Sequence, residues 1–369
     1  MGWRLFSFGI ALAACIHAYL HPESSFFPKT ATEAQFRIRD FWHRTWFMHQ
    51  LSPYVLSEQT HVVQHPPPKD ALTPAQRKAL EEKEEEEKDA NTIAIQPIAK
   101  MPAYFISHGS PDIMFQPDSL PYKSLQALGN EIKQHNPKAI VVASSHWIGD
   151  ELVVYVNNGE ENSLIYDFYG FPDEYYKQTF ESHADPLLAD RLLKLFKENK
   201  VAALPRARGL DHGVWTPFKI MFNGTLDIPV VQVSLYDTGS PAQALKLGKA
   251  IASLRDEGVM IIGSGMAVHN LKLMHKYRAG QKPAEWIEPW LEVQRKMVED
   301  YSGERREIRS KQITFNSNFR NAHPTAEHLF PLHFVVGAAG EDEGEELFQM
   351  IDGSMAWAHY RFSAPEQVM

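Results

Sequence analysis

One cysteine, Cys15, occurs in 369 residues, and it lies in an apolar N-terminal stretch. No intrachain disulfide can form, and the rest of the chain holds neither a cysteine nucleophile nor a thiolate metal site. Other signatures are missing as well. There is no His-Glu-x-x-His, which excludes a zincin helix. Gly263-Ser264-Gly265 lacks the Gly-x-Ser-x-Gly pattern of a nucleophile elbow. The same string is not a dinucleotide fingerprint, because Val268 stands where a third glycine is needed and no acidic strand end follows at a suitable distance. No basic stripe interleaved with aromatics marks a nucleic-acid surface. No segment repeats. The apolar run from Leu5 to Leu20 is short for a membrane span, which needs about 20 residues.

What is present starts with 17 histidines, 44% hydrophobic and 22% charged residues, and a formal net charge of -9. This is the balance of a globular protein with a sizeable core. With cysteine scarce, any metal must be held by His, Asp or Glu. Part of the negative charge comes from Glu81-Glu82-Lys83-Glu84-Glu85-Glu86-Glu87-Lys88-Asp89.

Three stretches differ in texture. Residues 1–50 are expected to be a targeting or membrane-anchor segment. Arg4 precedes the apolar run, as in a secretory signal or a marginal anchor. Phe36 to Trp46, basic and aromatic, suits a membrane surface or a mitochondrial presequence, or else a helix packed on the domain. Gly2 does not open a myristoylation signal, because Phe6 stands where Ser or Thr is wanted. The expected location is accordingly membrane-associated, secretory or mitochondrial, with possible membrane association through the N-terminus of an otherwise soluble catalytic domain. Residues 51–100 read as a linker. Pro66-Pro67-Pro68 favours extended geometry, Thr73-Pro74 can start a helix, and the acidic run is a solvated face or spacer.

From residue 101 to 369, short apolar runs alternate with amphipathic segments. Strands are expected over 102–106, 139–143, 151–156, 228–234 and 259–262. Helices are expected over 185–199, capped by Asp185-Pro186, and over 240–258, opened by Ser240-Pro241 and closed by Gly258. This alternation predicts an α/β fold with a mainly parallel central sheet covered by helices, in a single catalytic domain.

In such folds ligands bind at the carboxyl ends of parallel strands. His108 follows the strand over 102–106, and His146 follows the strand over 139–143. His269 comes after Gly263-Ser264-Gly265, and His212 sits in a glycine-flanked loop before Thr216-Pro217. Pro324-Thr325 mark a loop-to-helix entry that puts Glu327 and His328 in a first helical turn. Each histidine alone could be a strand cap or a locally bonded group. Together, two or three imidazoles with or without a carboxylate suit non-haem Fe(II) or Zn(II), and spare histidines become acid/base groups. His17, His21, His61, His65, His135, His183, His275, His333 and His359 read as surface or locally bonded groups, and His323 is left open. Trp147, Tyr166, Phe168 and Tyr169 could line an aromatic pocket, but a core role is the stronger expectation.

In this order, His108-Gly-Ser-Pro111, Ser145-His146-Trp147, Phe168-Tyr-Gly-Phe-Pro172, Asp211-His212-Gly213, Gly263-Ser-Gly265 with His269-Asn-Leu271, and Pro324-Thr-Ala-Glu-His328 resemble the class III extradiol ring-cleavage dioxygenases. The nearest branch is that of the 4,5-DOPA dioxygenase-like proteins. The resemblance runs from Met101 to the end, and residues 1–100 match nothing in it. It implies a metal-dependent dioxygenase opening a DOPA-like catechol with O2 to a semialdehyde acid, using Fe(2+) or Zn(2+) and no nucleic acid. His108 and His146 are then metal ligands. The third ligand comes from the Glu327-His328 pair, with His328 preferred and Glu327 the alternative. His269 is either a ligand or an acid/base group, and His212 faces substrate as a second catalytic histidine. A different class remains open: a metal-binding or scaffold protein that keeps the fold without turnover.

Overall fold

The central strands form over continuous apolar runs, and both of their faces are covered. The computed structural model describes residues 78, 99–278 and 280–364. The chain divides into two units, 1–92 and 93–369, and the second carries the fold below. The expected targeting segment, the acidic run and His17, His21, His61 and His65 lie outside the described residues, as does the Thr73-Pro74 helix except for Lys78, which is helical. Among the described residues no helix is long and apolar enough to cross a membrane.

The strands are β1 (Ala103–Ser107), β2 (Ala139–Ile148), β3 (Val154–Val156), β4 (Glu181–Ser182), β5 (Ala203–Pro205), β6 (Thr225–Leu226), β7 (Val230–Leu235), β8 (Val259–Gly265), β9 (Val268–His269), β10 (Glu343–Asp352) and β11 (Met355–Ser363). The main sheet runs in the order β10-β11-β1-β8-β2-β7-β3-β5, with β9 on β11. The central pairs β1–β8, β8–β2 and β2–β7 are parallel, and β3–β5 is parallel at one edge. β11 joins β1, β10 and β9 antiparallel, and β3 joins β7 antiparallel. The sheet is therefore mixed and mostly parallel at its centre.

Helices cover both faces. They are α1 (Leu120–Gln134), α2 (Pro186–Glu198), α3 (His212–Met221), α4 (Pro241–Ile251), α5 (Ile287–Glu299), α6 (Gly303–Gln312), α7 (Phe319–Ala322) and α8 (Phe330–Ala339). Ala103, Phe105, Val141, Val231 and Ile261 face a core shared with α2, α4, α5 and α8. Their neighbours Tyr104, Ile106, Val142, Val230 and Ile262 face a second core with α1 and α3. A period of two with both faces buried is why these strands read as continuous apolar runs.

Local chemistry sets the boundaries. Asp185 accepts from Leu188 N at 2.9 Å and caps α2. The helix opened at Pro241 ends at Ile251, earlier than expected. A 3-10 segment over Ala252–Glu257 follows, closed by Gly258 at φ 91°. The strand expected over 151–156 shrinks to Val154–Val156, because Asp150 N turns back to Val153 O at 2.9 Å. β2 is longer than expected, so His146 lies inside a strand rather than after one.

Candidate metal centre

Five histidines meet above the carboxyl ends of β1, β8 and β2. His108 leaves β1 beside Gly109, whose φ of 69° suits glycine, and a Cβ there would overlap the Trp357 ring. His146 is carried by β2, and His269 ends β9. His212 is the first residue of α3, with Asp211 at the N-cap, so the segment expected as a loop is a helix start. His328 lies in the turn before α8, not in a first helical turn, because that helix begins at Phe330. This turn approaches β8 so closely that a Cβ on Gly265 would stand 2.2 Å from His328 O. Met266 N donates to the same carbonyl at 3.0 Å.

The ring nitrogens of His108, His146 and His328 form one group within 4.8 Å of one another. His108 Nε2 and His146 Nε2 are 3.3 Å apart. The ring centroids of His328 lie 5.3 Å from those of His108 and 5.0 Å from those of His146. His212 stands 4.0 Å from His146, centroid to centroid. His269 stacks on His328 at 3.5 Å with an 11° interplanar angle, and it groups with Glu327 and His328 rather than with His108 and His146.

The opposite nitrogens have acceptors. Ser264 Oγ donates to Gly213 O, so at 3.0 Å it can accept from His108 Nδ1–H. Glu327 Oε1 is 3.1 Å from His328 Nδ1. Asp167 lies between two rings, with Oδ2 3.5 Å from His146 Nδ1 and Oδ1 2.9 Å from His212 Nδ1. Oδ1 also accepts from His212 N at 2.9 Å. These partners assign the Nδ1–H tautomer and leave Nε2 as a lone pair on each ring. Two such lone pairs facing each other at 3.3 Å repel unless a cation lies between them. A metal roughly 2.0–2.1 Å from each imidazole nitrogen spaces them about that far apart. The donor set fits a divalent ion.

Electrostatics keeps His108, His146, His269 and His328 neutral. Burial first, then neighbouring imidazoles, push His108 and His328 well below 6.5. Burial followed by His212 brings His146 to about 4, and burial brings His269 to about 4 against the pull of Glu327. Burial would raise Asp167, but the hydrogen bond and charge of His212 outweigh it and hold the carboxyl below its ordinary value.

Below the histidines lies a buried polar layer. Asp211 accepts from Ser144 Oγ at 2.7 Å, Gln232 Nε2 at 2.5 Å and Arg208 at 3.0 Å. Ser144 Oγ accepts from His146 N at 3.1 Å, and Arg208 donates to His146 O at 3.3 Å. Sequence reasoning did not single out Asp167, Ser264 or Arg208. Asp167 stands one residue before Phe168-Tyr-Gly-Phe-Pro172, so its adjacency was the available signal. Phe168 and Trp147 are buried and Tyr166 is half-buried, whereas Tyr169 is 92% exposed and departs from a core role. His323 lies outside the cluster, 3.0 Å from Ala267 O. His359 is buried and bonded across the fold to Ser107 N, so it is neither a surface nor a local group, whereas the buried His333 combines the expected local bond, to Leu329 O, with one across the fold to Ser310 O.

A half-open imidazole site at the carboxyl edge of a doubly covered α/β sheet defines an enzyme centre of the metal-binding type. The chain belongs to the family described as the catalytic LigB subunit of aromatic ring-opening dioxygenase, which matches residues 102–362. It is an extradiol aromatic ring-opening dioxygenase by family. A Beta vulgaris protein named 4,5-DOPA dioxygenase extradiol is 38% identical over 267 residues, 71% of this chain and 96% of that protein. A protein of the same name from Escherichia coli is 34% identical over 239 residues, covering 65% and 85%. The crystal structure of an uncharacterized E. coli K12 protein is 27% identical with a TM-score of 0.57, covering 71% of this chain and 100% of that one.

Proposed function

We propose that residues 101–369 form the catalytic domain of a metal-dependent dioxygenase that opens a DOPA-type catechol with O2 to a semialdehyde acid. The observation that carries the reading is the set of Nε2 lone pairs left by the Nδ1 partners, with His108 and His146 facing each other at 3.3 Å. His108, His146 and His328 would hold Fe(2+) or Zn(2+), and Glu327, bonded to His328 Nδ1, supports rather than binds. A divalent ion there supplies a charge that favours catecholate over catechol and a common site for the two reactants. The chain supplies positioning and proton handling. His212, with Nδ1–H donated to Asp167, presents Nε2 to accept a catechol proton and to return it later. His269, stacked on His328, is a second acid/base group on the other side of the cluster. Phe168, 5.7 Å from His212 edge to face, narrows the space in which a ring can lie. Residues 1–50 would target or tether this domain through the linker over 51–100.

The test is anaerobic Fe(2+) loading followed by oxygen uptake with a catechol panel. A yellow ring-opened product with matching oxygen consumption is expected. Full iron loading with no product from any catechol would leave the second reading, a metal-binding scaffold.

A further inference from the structure

A cavity of about 650 Å³ lies between the segment after His108 and the hairpin of β10 and β11. Three of its lining residues are backbone neighbours of the imidazole cluster. Gly109 follows His108, Met266 N is bonded to His328 O, and Met355 is the ladder partner of His269. All three residues line the cavity. Its walls carry Met266, Met274, Met350 and Met355 and the Phe171 and Trp357 rings, with Ser110, Gln116 and Ser119 as neutral polar groups. Phe171 continues an aromatic row from His212 through Phe168, with centroid steps of 5.7 and 5.3 Å.

The charge in this cavity has one sign. Asp112 and Asp352 line it, and no lysine, arginine or histidine does. Among the described residues neither carboxylate forms an ion pair, and Asp112 accepts only from Gln116 Nε2, at 2.8 Å. The Asp352 carboxyl is raised by burial and by the charge of Asp112. Two carboxylates thus face one cavity without a counter-cation.

We propose that this cavity receives the ring substituent of the catechol and selects one ending in an ammonium group over one ending in a carboxylate. The proposal rests on the ring-opening reading and deepens it by assigning the substrate a class, a catechol with a cationic amine tail. Thioethers and aromatic faces pack an arylalkyl chain. The Trp357 and Phe171 faces and the two carboxylates attract an ammonium head. An anionic tail would meet two like charges in a partly desolvated space, and a zwitterionic amino acid tail would gain and lose in the same place.

Two assays separate the cavity from the chemistry. In the first, 2-phenylethylamine, phenylalanine and 3-phenylpropionate are titrated calorimetrically into the full-length metal-free protein. In the second, kcat/KM is measured for the Fe(2+)-loaded enzyme on catechols bearing the same three tails. The amine is expected to be favoured over the carboxylate by roughly tenfold or more, with the amino acid between them, since tenfold corresponds to about 1.4 kcal/mol. In Asp112→Asn/Asp352→Asn the ratio should fall to within about threefold, and Asp112→Asn alone, in the short 3-10 segment Pro111–Phe115, should move it in the same direction if the double variant folds poorly. Ring opening without a tail-charge preference, or a ratio unchanged in both variants, overturns the proposal and spares the reaction. Preferential amine binding with no catechol opened upholds the cavity and sinks the ring-opening reading.

Discussion

The two ends of the central strands both bury polar groups, but they finish them differently. At the amino ends of β1 and β8 the fully buried Arg255 spends its donors. Its Nε reaches Met101 O at 2.6 Å, one terminal nitrogen reaches Ala338 O at 2.9 Å, and the other reaches Phe362 O at 3.2 Å and the Asp342 carboxylate. Lys100 adds a second contact to Asp342 at 2.9 Å. At the carboxyl ends His108, His146, His212 and His328 each have a partner on Nδ1, while the Nε2 atoms of His108 and His146 face each other. Buried polar groups are normally satisfied within the protein. Complete pairing of Arg255 ties the termini of four elements together. Lone pairs left over at the other end mark the place for something from outside.

The comparison breaks first at His328. His328→Ala should lower metal content and oxygen uptake by more than the roughly 10–100-fold that loss of an outer partner costs. Metal content at the wild-type level in anaerobically purified variant would transfer the third-ligand role to Glu327 or His269. Metal content is expressed per folded molecule, because the variant also loses the Glu327 bond and the His269 stack.

The amino end should behave in the opposite way. Arg255→Met leaves Asp342 with only the part-exposed Lys100 and strips the Met101, Ala338 and Phe362 carbonyls of their buried donor, and should cost about 3–5 kcal/mol in chemical denaturation. Ring-opening activity per folded, iron-loaded molecule should hardly change. A large loss of activity without loss of stability would erase the distinction between the two ends.

Asp167→Asn probes the boundary between framework and chemistry. It keeps the shape but removes the charge that orients His146 and His212, and it should lower kcat by roughly 10–100-fold with metal content largely kept. Steady-state rates on an iron-quantified sample measure this. Parallel loss of kcat and metal would make Asp167 a support for the ligand rather than for the base.

The last expected effect is a pH slope. His146, His269 and His333 sit at about 4, and His359 at about 3, each with burial as the first cause. A histidine whose folded pKa lies below its unfolded value binds fewer protons folded than unfolded in that interval. The metal-free protein should therefore be most stable above about 6.5 and lose stability as the pH falls from there toward about 4. Denaturation midpoints at several pH values, with and without bound metal, read the slope. A flat profile would mean that these rings are not held neutral by burial.

Much of this was legible in the chain. The alternation in 102–106, 139–143 and 259–262 shows strands buried on both faces, and the histidine beside each strand end points to one crevice. Gly258 and Asp185-Pro186 carry their turns and caps in their own chemistry. The hairpin of β10 and β11 was not read, because Glu343, Glu345 and Glu346 hide its pattern among charges. Asp167 was missed for a related reason. A lone aspartate in a loop has no local signature, and its role comes from two rings 21 and 45 residues away in sequence.

Composition and spacing by themselves determined that the site is built from imidazole and carboxylate, that the sheet is helix-covered, and that its centre lies at the carboxyl ends of parallel strands. Tertiary structure alone decided which histidines share a centre. His269 stacks on His328 instead of joining His108 and His146, and His323 turns away to a backbone carbonyl. The physical reason is that tautomer and lone-pair direction depend on the acceptor behind each ring. Those acceptors, Ser264, Asp167 and Glu327, are brought to their places by strand register and by close backbone approach at Gly265, which no local pattern encodes.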